Sequence, residues 1–169
     1  MLIIKDISNL KHYVNAYQKK GYSIGYIPTM GSLHLGHGEL IKKSKHDNQK
    51  TLVSIFVNEK QFNNADDYKN YPRNKGKDYD FCDQYDVDVI FEPSNKEIYD
   101  QQEEILINKN FQNVLCDKFR PGHFNGVITV LDKLFSIVKA QKVYFGEKDY
   151  QQLKIVKSFI QENFQNLLL

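Results

Sequence analysis

Two short runs rich in aromatic and β-branched residues, Tyr22-Ser23-Ile24-Gly25-Tyr26-Ile27 and Thr51 to Val57, flank a stretch of helical character from Gly36 to Lys45. Strand, loop, helix and strand in that order make a βαβ unit, whose strands are parallel and whose crossover is right-handed. The first run meets Pro28, where the expected strand passes into a loop. The same alternation recurs with Asp78 to Gln84 as helix, Val87 to Phe91 as strand, Phe124 to Lys139 as helix and Lys142 to Phe145 as strand. Repetition of this kind predicts an α/β fold with a doubly wound, mostly parallel sheet and helices on both faces. Its clearest helix carries Phe124, Val127, Ile128, Leu131, Leu134, Phe135 and Val138 along one stripe. An earlier helix is expected over Ser8 to Lys20, stopping at Gly21. Between Glu97 and Cys116 the pattern offers only a small edge strand at Ile105-Leu106-Ile107.

A sheet buried on both faces needs apolar bulk, and 169 residues with 41% hydrophobic content, including 11 Phe and 11 Tyr, supply enough for one domain. The 23 basic and 21 acidic residues are spread without a block of like charge, so neither a nucleic-acid face nor an acidic partner is implied. Cys82 and Cys116 fit no metal-ligand spacing and no disulfide framework. The N-terminus has a three-residue apolar run before charges appear, and no stretch approaches eighteen apolar residues. The expectation is a soluble, cytoplasmic protein with no membrane segment.

In open α/β sheets ligands bind at the carboxyl edge, so the loop after the first expected strand carries most weight. It reads Pro28-Thr29-Met30-Gly31-Ser32-Leu33-His34-Leu35-Gly36-His37. Gly31 permits a tight turn, and Gly36 lets a helix start close to a ligand. The N-terminus of that helix offers unpaired N–H groups and a partial positive charge to phosphate. His34 and His37 straddle the helix start and can both donate to one phosphate as charge grows in an in-line displacement. An arbitrary His-x-x-His is more often an ordinary surface pair, but the surrounding Thr-Met-Gly and Gly-His reverse that balance. His12 and His46 lie in polar helical stretches and receive no function.

His-x-Gly-His after the first strand resembles the nucleotidylyltransferases and class I aminoacyl-tRNA synthetases, which transfer adenylyl or cytidylyl groups on a Rossmann-like fold. The longer match at 28 to 37 is similar to the pantothenate synthetase family. Further blocks agree in order: Val53-Ser54-Ile55-Phe56-Val57-Asn58 with Gln61-Phe62, Tyr71-Pro72-Arg73, Arg120-Pro121-Gly122-His123-Phe124, and Phe145-Gly146-Glu147-Lys148-Asp149-Tyr150-Gln151-Gln152-Leu153. The resemblance implies that pantoate attacks the α-phosphate of ATP, that pyrophosphate leaves, and that β-alanine then displaces AMP from the pantoyl-adenylate. Mg2+ accompanies the ATP.

By the same resemblance Met30, Gly31, Ser32, Leu33, His34, Leu35, Gly36 and His37 form one ATP segment, and Gly146, Glu147, Lys148 and Asp149 the other. Gln61 and Gln152 take the pantoate positions, with amides suited to a ligand bearing hydroxyls and a carboxylate. His37 is the family's assigned proton donor, although a histidine here can equally stabilise charge, and the sequence leaves both roles open. His34 and Lys148 complete the expected catalytic set, Lys148 neutralising phosphate charge and Asp149 accepting from ribose. Without the family pattern, Lys148 and Asp149 read equally well as a capped, solvated helix end, while Gln61 reads better as a surface loop residue and Gln152 as a helix-face residue. Arg73 and Arg120 are expected to hold loops or phosphates, with an ion pair as the other reading of Arg73. Asp78 falls where the family places acids near the metal but also suits an exposed helix face, so the metal residues stay unassigned.

This chain departs from the family in two respects. Glu59 stands where proline usually follows Asn58, which is expected to loosen the loop bearing Gln61 and to add a negative charge beside it. Family members also continue for roughly a hundred residues as a lid domain whose absence here would remove water exclusion and charge stabilisation. The expectation is therefore a homodimeric pantoate-activating ligase domain that binds ATP and pantoate, with a non-catalytic binding and dimerisation module as the alternative. Another adenylyl-transferring member of the superfamily fits less well, because Gln61, Gln152 and Arg-Pro-Gly-His-Phe match the pantoate family. No basic appended region for RNA is present.

Overall fold

A computed structural model of the chain describes residues 1–99 and 104–169. The described elements begin with β1 (Leu2–Ile4), α1 (Ile7–Lys19), β2 (Ile24–Thr29), α2 (Leu35–Asp47) and β3 (Lys50–Ile55). There follow α3 (Ala65–Asn70), α4 (Lys75–Gln84), β4 (Val89–Phe91), α5 (Asn95–Tyr99) and α6 (Cys116–Phe119). The chain closes with α7 (His123–Val138), β5 (Lys142–Val143) and α8 (Tyr150–Asn163). All strand pairs are parallel, in the order β1-β4-β3-β2-β5.

Alternate strand residues feed two cores, because side chains point to opposite faces of a sheet with a period of two. Ile24, Tyr26, Leu52, Phe56, Val89 and Phe91 pack with Leu10 and Val14 of α1, the buried stripe of α7, and Ile155, Val156 and Phe159 of α8. Ile27, Val53, Ile55 and Ile90 pack on the other face with Ile41 of α2 and Cys82 of α4. The sheet is thus doubly wound. From β2 the chain steps to β3 and β4, and α7 then carries it back to β5 on the far side of β2. The loops leaving β2 and β5 diverge to opposite faces, and a crevice opens between them at the strands' carboxyl ends.

Several sequence expectations need correction. Pro28 does not end β2, which runs through it to Thr29. Tyr26 C=O accepts from Tyr144 N–H, so Tyr26 and, two residues on, Pro28 face β5. Since β5 stops at Val143, the missing N–H of Pro28 breaks no ladder. That same brevity shortens the strand expected over Lys142 to Phe145. β1 has no counterpart in the sequence pattern, because three residues have no alternation to read and gain a strand only by pairing with β4. The run Ile105-Leu106-Ile107 is not a strand; Ile105 N–H donates to Thr129 Oγ1 at 2.8 Å and Ile107 N–H to Asn125 Oδ1 at 3.0 Å, both on α7. Residues 100–103 of that segment lie outside the described residues. Gly21 does stop α1, in the left-handed region at φ 74°, with its N–H on Gln18 C=O and that of Tyr22 on Tyr17 C=O. Among the described residues no helix is long and apolar enough to cross a membrane.

Candidate active site

The loop from β2 to α2 turns at two consecutive residues in the left-handed region, Gly31 at φ 81° and Ser32 at φ 53°. A non-glycine residue there is uncommon and needs support. Asp78, on the first turns of α4 and 4% exposed, supplies it. Its Oδ2 accepts from Ser32 N–H at 3.0 Å and its Oδ1 from Leu33 N–H at 2.8 Å. Ser32 Oγ also donates to Pro72 C=O at 3.2 Å. Pro72 is followed by Arg73, whose guanidinium caps the carbonyls of Tyr68, Lys69 and Tyr71 at the end of α3. Of the roles expected for Arg73, holding the loop is the one the contacts display.

His34 and His37 cap α2 reciprocally. Gly36 N–H donates to His34 Nδ1 at 3.1 Å, and His34 N–H donates to His37 Nδ1 at 3.3 Å, an arrangement in which each imidazole takes the place of a capping-box side chain. A ring nitrogen that accepts carries no hydrogen, so each neutral ring bears its N–H on Nε2. Burial, then the neighbouring His34, hold the His37 pKa down to about 4, with Lys148 acting in the same direction. His37 is therefore a neutral hydrogen-bond donor near pH 7.

Gln61 ends a 3-10 turn, Glu59–Gln61, that α7 clamps. Buried Asn58 donates from Nδ2 to Gln61 Oε1 at 3.1 Å and to Gly126 C=O at 3.0 Å, while its Oδ1 accepts from Lys60 N–H and from the Tyr99 hydroxyl. With its oxygen so engaged, the Gln61 amide has its Nε2 hydrogens left for a ligand. His123 Nδ1 donates to Gln61 C=O at 2.7 Å, and Arg120 Nη2 reaches the same oxygen at 3.5 Å. These hydrogen bonds hold the turn from the α7 side, while Glu59 is exposed at its first position. Asn58 precedes it at φ −82° and ψ 109°, a conformation proline tolerates in its neighbour, and Glu59 N–H donates to no acceptor among the described residues. Glu59→Pro is accordingly expected to stabilise the chain by about 0.4–1 kcal/mol in urea unfolding; a loss of stability would mean that the turn needs that N–H.

These parts surround a cavity of about 590 Å³ in the crevice between β2 and β5. Met30, Gly31, Ser32, His34, Gly36 and His37 line it from one side, and Gly146, Lys148, Asp149 and Gln152 from the other, with Asn58 and Gln61 beside Val127, Val130, Leu131 and Leu134. Three residues of the expected ATP segments do not line it: Leu33 packs on the α2 and α4 core, Leu35 is 76% exposed, and Glu147 is exposed on its turn. Lys148 has no ion-pair partner among the described residues, and the Asp149 side chain does not cap α8. Sequence reading assigned no role to Asn58 or to Tyr144, a cavity residue held through its hydroxyl by Asn48 and Asp47. Lone polar residues of that kind give no local signal. Among the described residues no group of three His, Cys, Asp or Glu is placed to hold a metal.

Donor-rich and edged by Lys148, which has no ion-pair partner among the described residues, the cavity suits an anion, and its wall of α7 aliphatics suits a compact apolar body beside it. A family model described as pantoate-beta-alanine ligase matches residues 2–167. A pantothenate synthetase of Clostridium botulinum (strain 657 / Type Ba4) is 46% identical over 164 residues, 96% of this chain and 58% of that protein. That of Aquifex aeolicus (strain VF5) is 43% identical over 163 residues, 95% of this chain and 57% of that protein. The crystal structure of a pantoate-beta-alanine ligase from Francisella tularensis, complexed with beta-gamma ATP and beta-alanine, matches with a TM-score of 0.95 at 43% identity, covering 99% of this chain and 65% of that one. A pantothenate synthetase from Thermus thermophilus matches with a TM-score of 0.92 at 32% identity, covering 99% and 60%. The chain spans less than two thirds of the length of these relatives.

Proposed function

This chain belongs to the pantoate-beta-alanine ligase family, and on that premise we propose that it is the ATP- and pantoate-binding domain on which pantoate is adenylated and then joined to β-alanine. A pantoate carboxylate oxygen attacks the α-phosphorus, and the bond from that phosphorus to the bridging oxygen breaks to release pyrophosphate. The β-alanine amine then attacks the acyl carbon and AMP leaves, giving pantothenate. The observation that carries this reading is the convergence on one cavity of the α2 N-terminus, Lys148 and the oriented Gln61 amide. Negative charge growing on the phosphate meets the N–H groups that open α2 and the Nε2–H groups of His34 and His37. Lys148 neutralises the phosphates across the cleft. Gln61 and Gln152 donate to pantoate's carboxylate and hydroxyls, and the α7 aliphatics pack its methyls.

ATP is expected to bring Mg2+ with it, bound to the nucleotide's phosphates. Closure over the phosphates is assigned to the lid domain expected of the family, and the chain is expected to pair as a homodimer, which sedimentation of the purified protein would test. ATP-dependent AMP release by the 169-residue chain, with pantoate and β-alanine present, tests the chemistry. AMP that requires both substrates supports ligation within this domain. No AMP, but ATP binding strengthened by pantoate, would leave a binding module instead.

A further inference from the structure

We infer that Asp78 is a positioning residue that sets the shape of the phosphate-facing loop and does not ligate the divalent ion accompanying ATP. The assignment of a ligand rests on the function proposed above; the loop geometry does not. A carboxylate only 4% exposed needs compensation for its lost hydration. Asp78 finds it in two consecutive backbone N–H groups, Ser32 on one oxygen and Leu33 on the other. Successive N–H groups splayed by left-handed residues form a concavity that attracts anions. Here a side chain from α4 fills that concavity, so a phosphate must bind further along, at the start of α2. Gly31 belongs to the same device, since a Cβ there would lie 2.8 Å from Asp78 Oδ2 and 3.2 Å from Ile55 Cγ2. Each carboxylate oxygen already holds a backbone N–H, and turning the group to chelate a metal would strain the two hydrogen bonds that keep Ser32 in its left-handed conformation.

The test compares the full chain with Asp78→Asn, which keeps the side-chain shape and faces one N–H with an NH₂. Without nucleotide, amide hydrogen exchange at Ser32 and Leu33 is expected to quicken at least ~10-fold, the order expected when a charge-assisted hydrogen bond is lost. Affinity for a non-hydrolysable ATP analogue is expected to fall by about 10-fold, and by the same factor with Mg2+ and with EDTA. Unchanged exchange, or an affinity loss confined to Mg2+, would overturn the assignment. Should Asp78→Asn fail to fold, Gly31→Ala displaces the carboxylate without removing it, and faster exchange at Ser32 is again expected, with unchanged exchange again overturning it. A wild-type chain that binds no nucleotide in either buffer would defeat the proposed function, while the exchange measurement would still decide the loop.

Discussion

Gly126→Ala is expected to destabilise the chain by about 1–3 kcal/mol through overpacking, although alanine in the middle of an exposed helix would ordinarily add roughly 1 kcal/mol over glycine. The sign reverses because α7 rests directly on the turn that carries Gln61. An added Cβ would lie 2.4 Å from Lys60 O, 2.6 Å from Lys60 C and 2.8 Å from Gln61 N, all backbone atoms with no rotamer to yield. Relief requires the helix and the turn to separate. That movement also pulls Gly126 C=O from Asn58 Nδ2 and Gln61 C=O from His123 Nδ1, the contacts that aim the Gln61 amide. Pantoate affinity should therefore fall more than ATP affinity, whose proposed contacts lie on the other loops. Urea unfolding and calorimetric titration of the two ligands separate these effects. A variant as stable as wild type, or one losing both affinities equally, would show that the clamp does not orient Gln61.

This clamp also marks where sequence reading runs out. The alternation of strands and helices is written locally, so the βαβ unit, the helix from Phe124 and the loop that leads from β2 into α2 are all legible. What joins distant segments is not. Asp78 meets Ser32 and Leu33 from more than forty positions away, and nothing in its neighbourhood separates a buried loop holder from a metal ligand or a solvated helix residue. Arg-Pro-Gly-His-Phe was recognisable as a block, yet the reasons for its histidine and for Gly126 just beyond it lie on the 58–61 turn. A contiguous motif also overstates a site, since the backbone path sends Leu33 into a core and Leu35 to solvent while their neighbours face the cavity. β1 and the continuation of β2 through Pro28 depend on which strand lies beside them and where that neighbour stops.

Lowering the pH from 7 to 5 is expected to weaken the fold by about 1–2 kcal/mol through His37. Its pKa drops from the ordinary 6.5 to about 4 on folding, chiefly by burial. Between those values the unfolded chain binds a proton that the folded chain refuses, so stability rises with pH. The contribution is fully present above pH 6.5 and is lost as the pH falls toward 4. His123, whose pKa burial also lowers, acts with the same sign. The carboxylates held low, Asp6, Asp47 and Glu92, have ordinary values of 3.8, 3.8 and 4.5, so their protonation matters mainly below this window. Urea unfolding at pH 7 and pH 5 should show the loss, and His37→Gln should remove most of the slope while keeping an amide able to donate. Nitrogen chemical shifts should place the His37 hydrogen on Nε2 throughout the range. If the slope persists unchanged in His37→Gln, or the ring titrates near 6.5, His37 is not the neutral donor described here. It would then be protonated often enough near neutral pH to serve as the acid, and AMP release would decline as the pH rises through 6.5 instead of staying level.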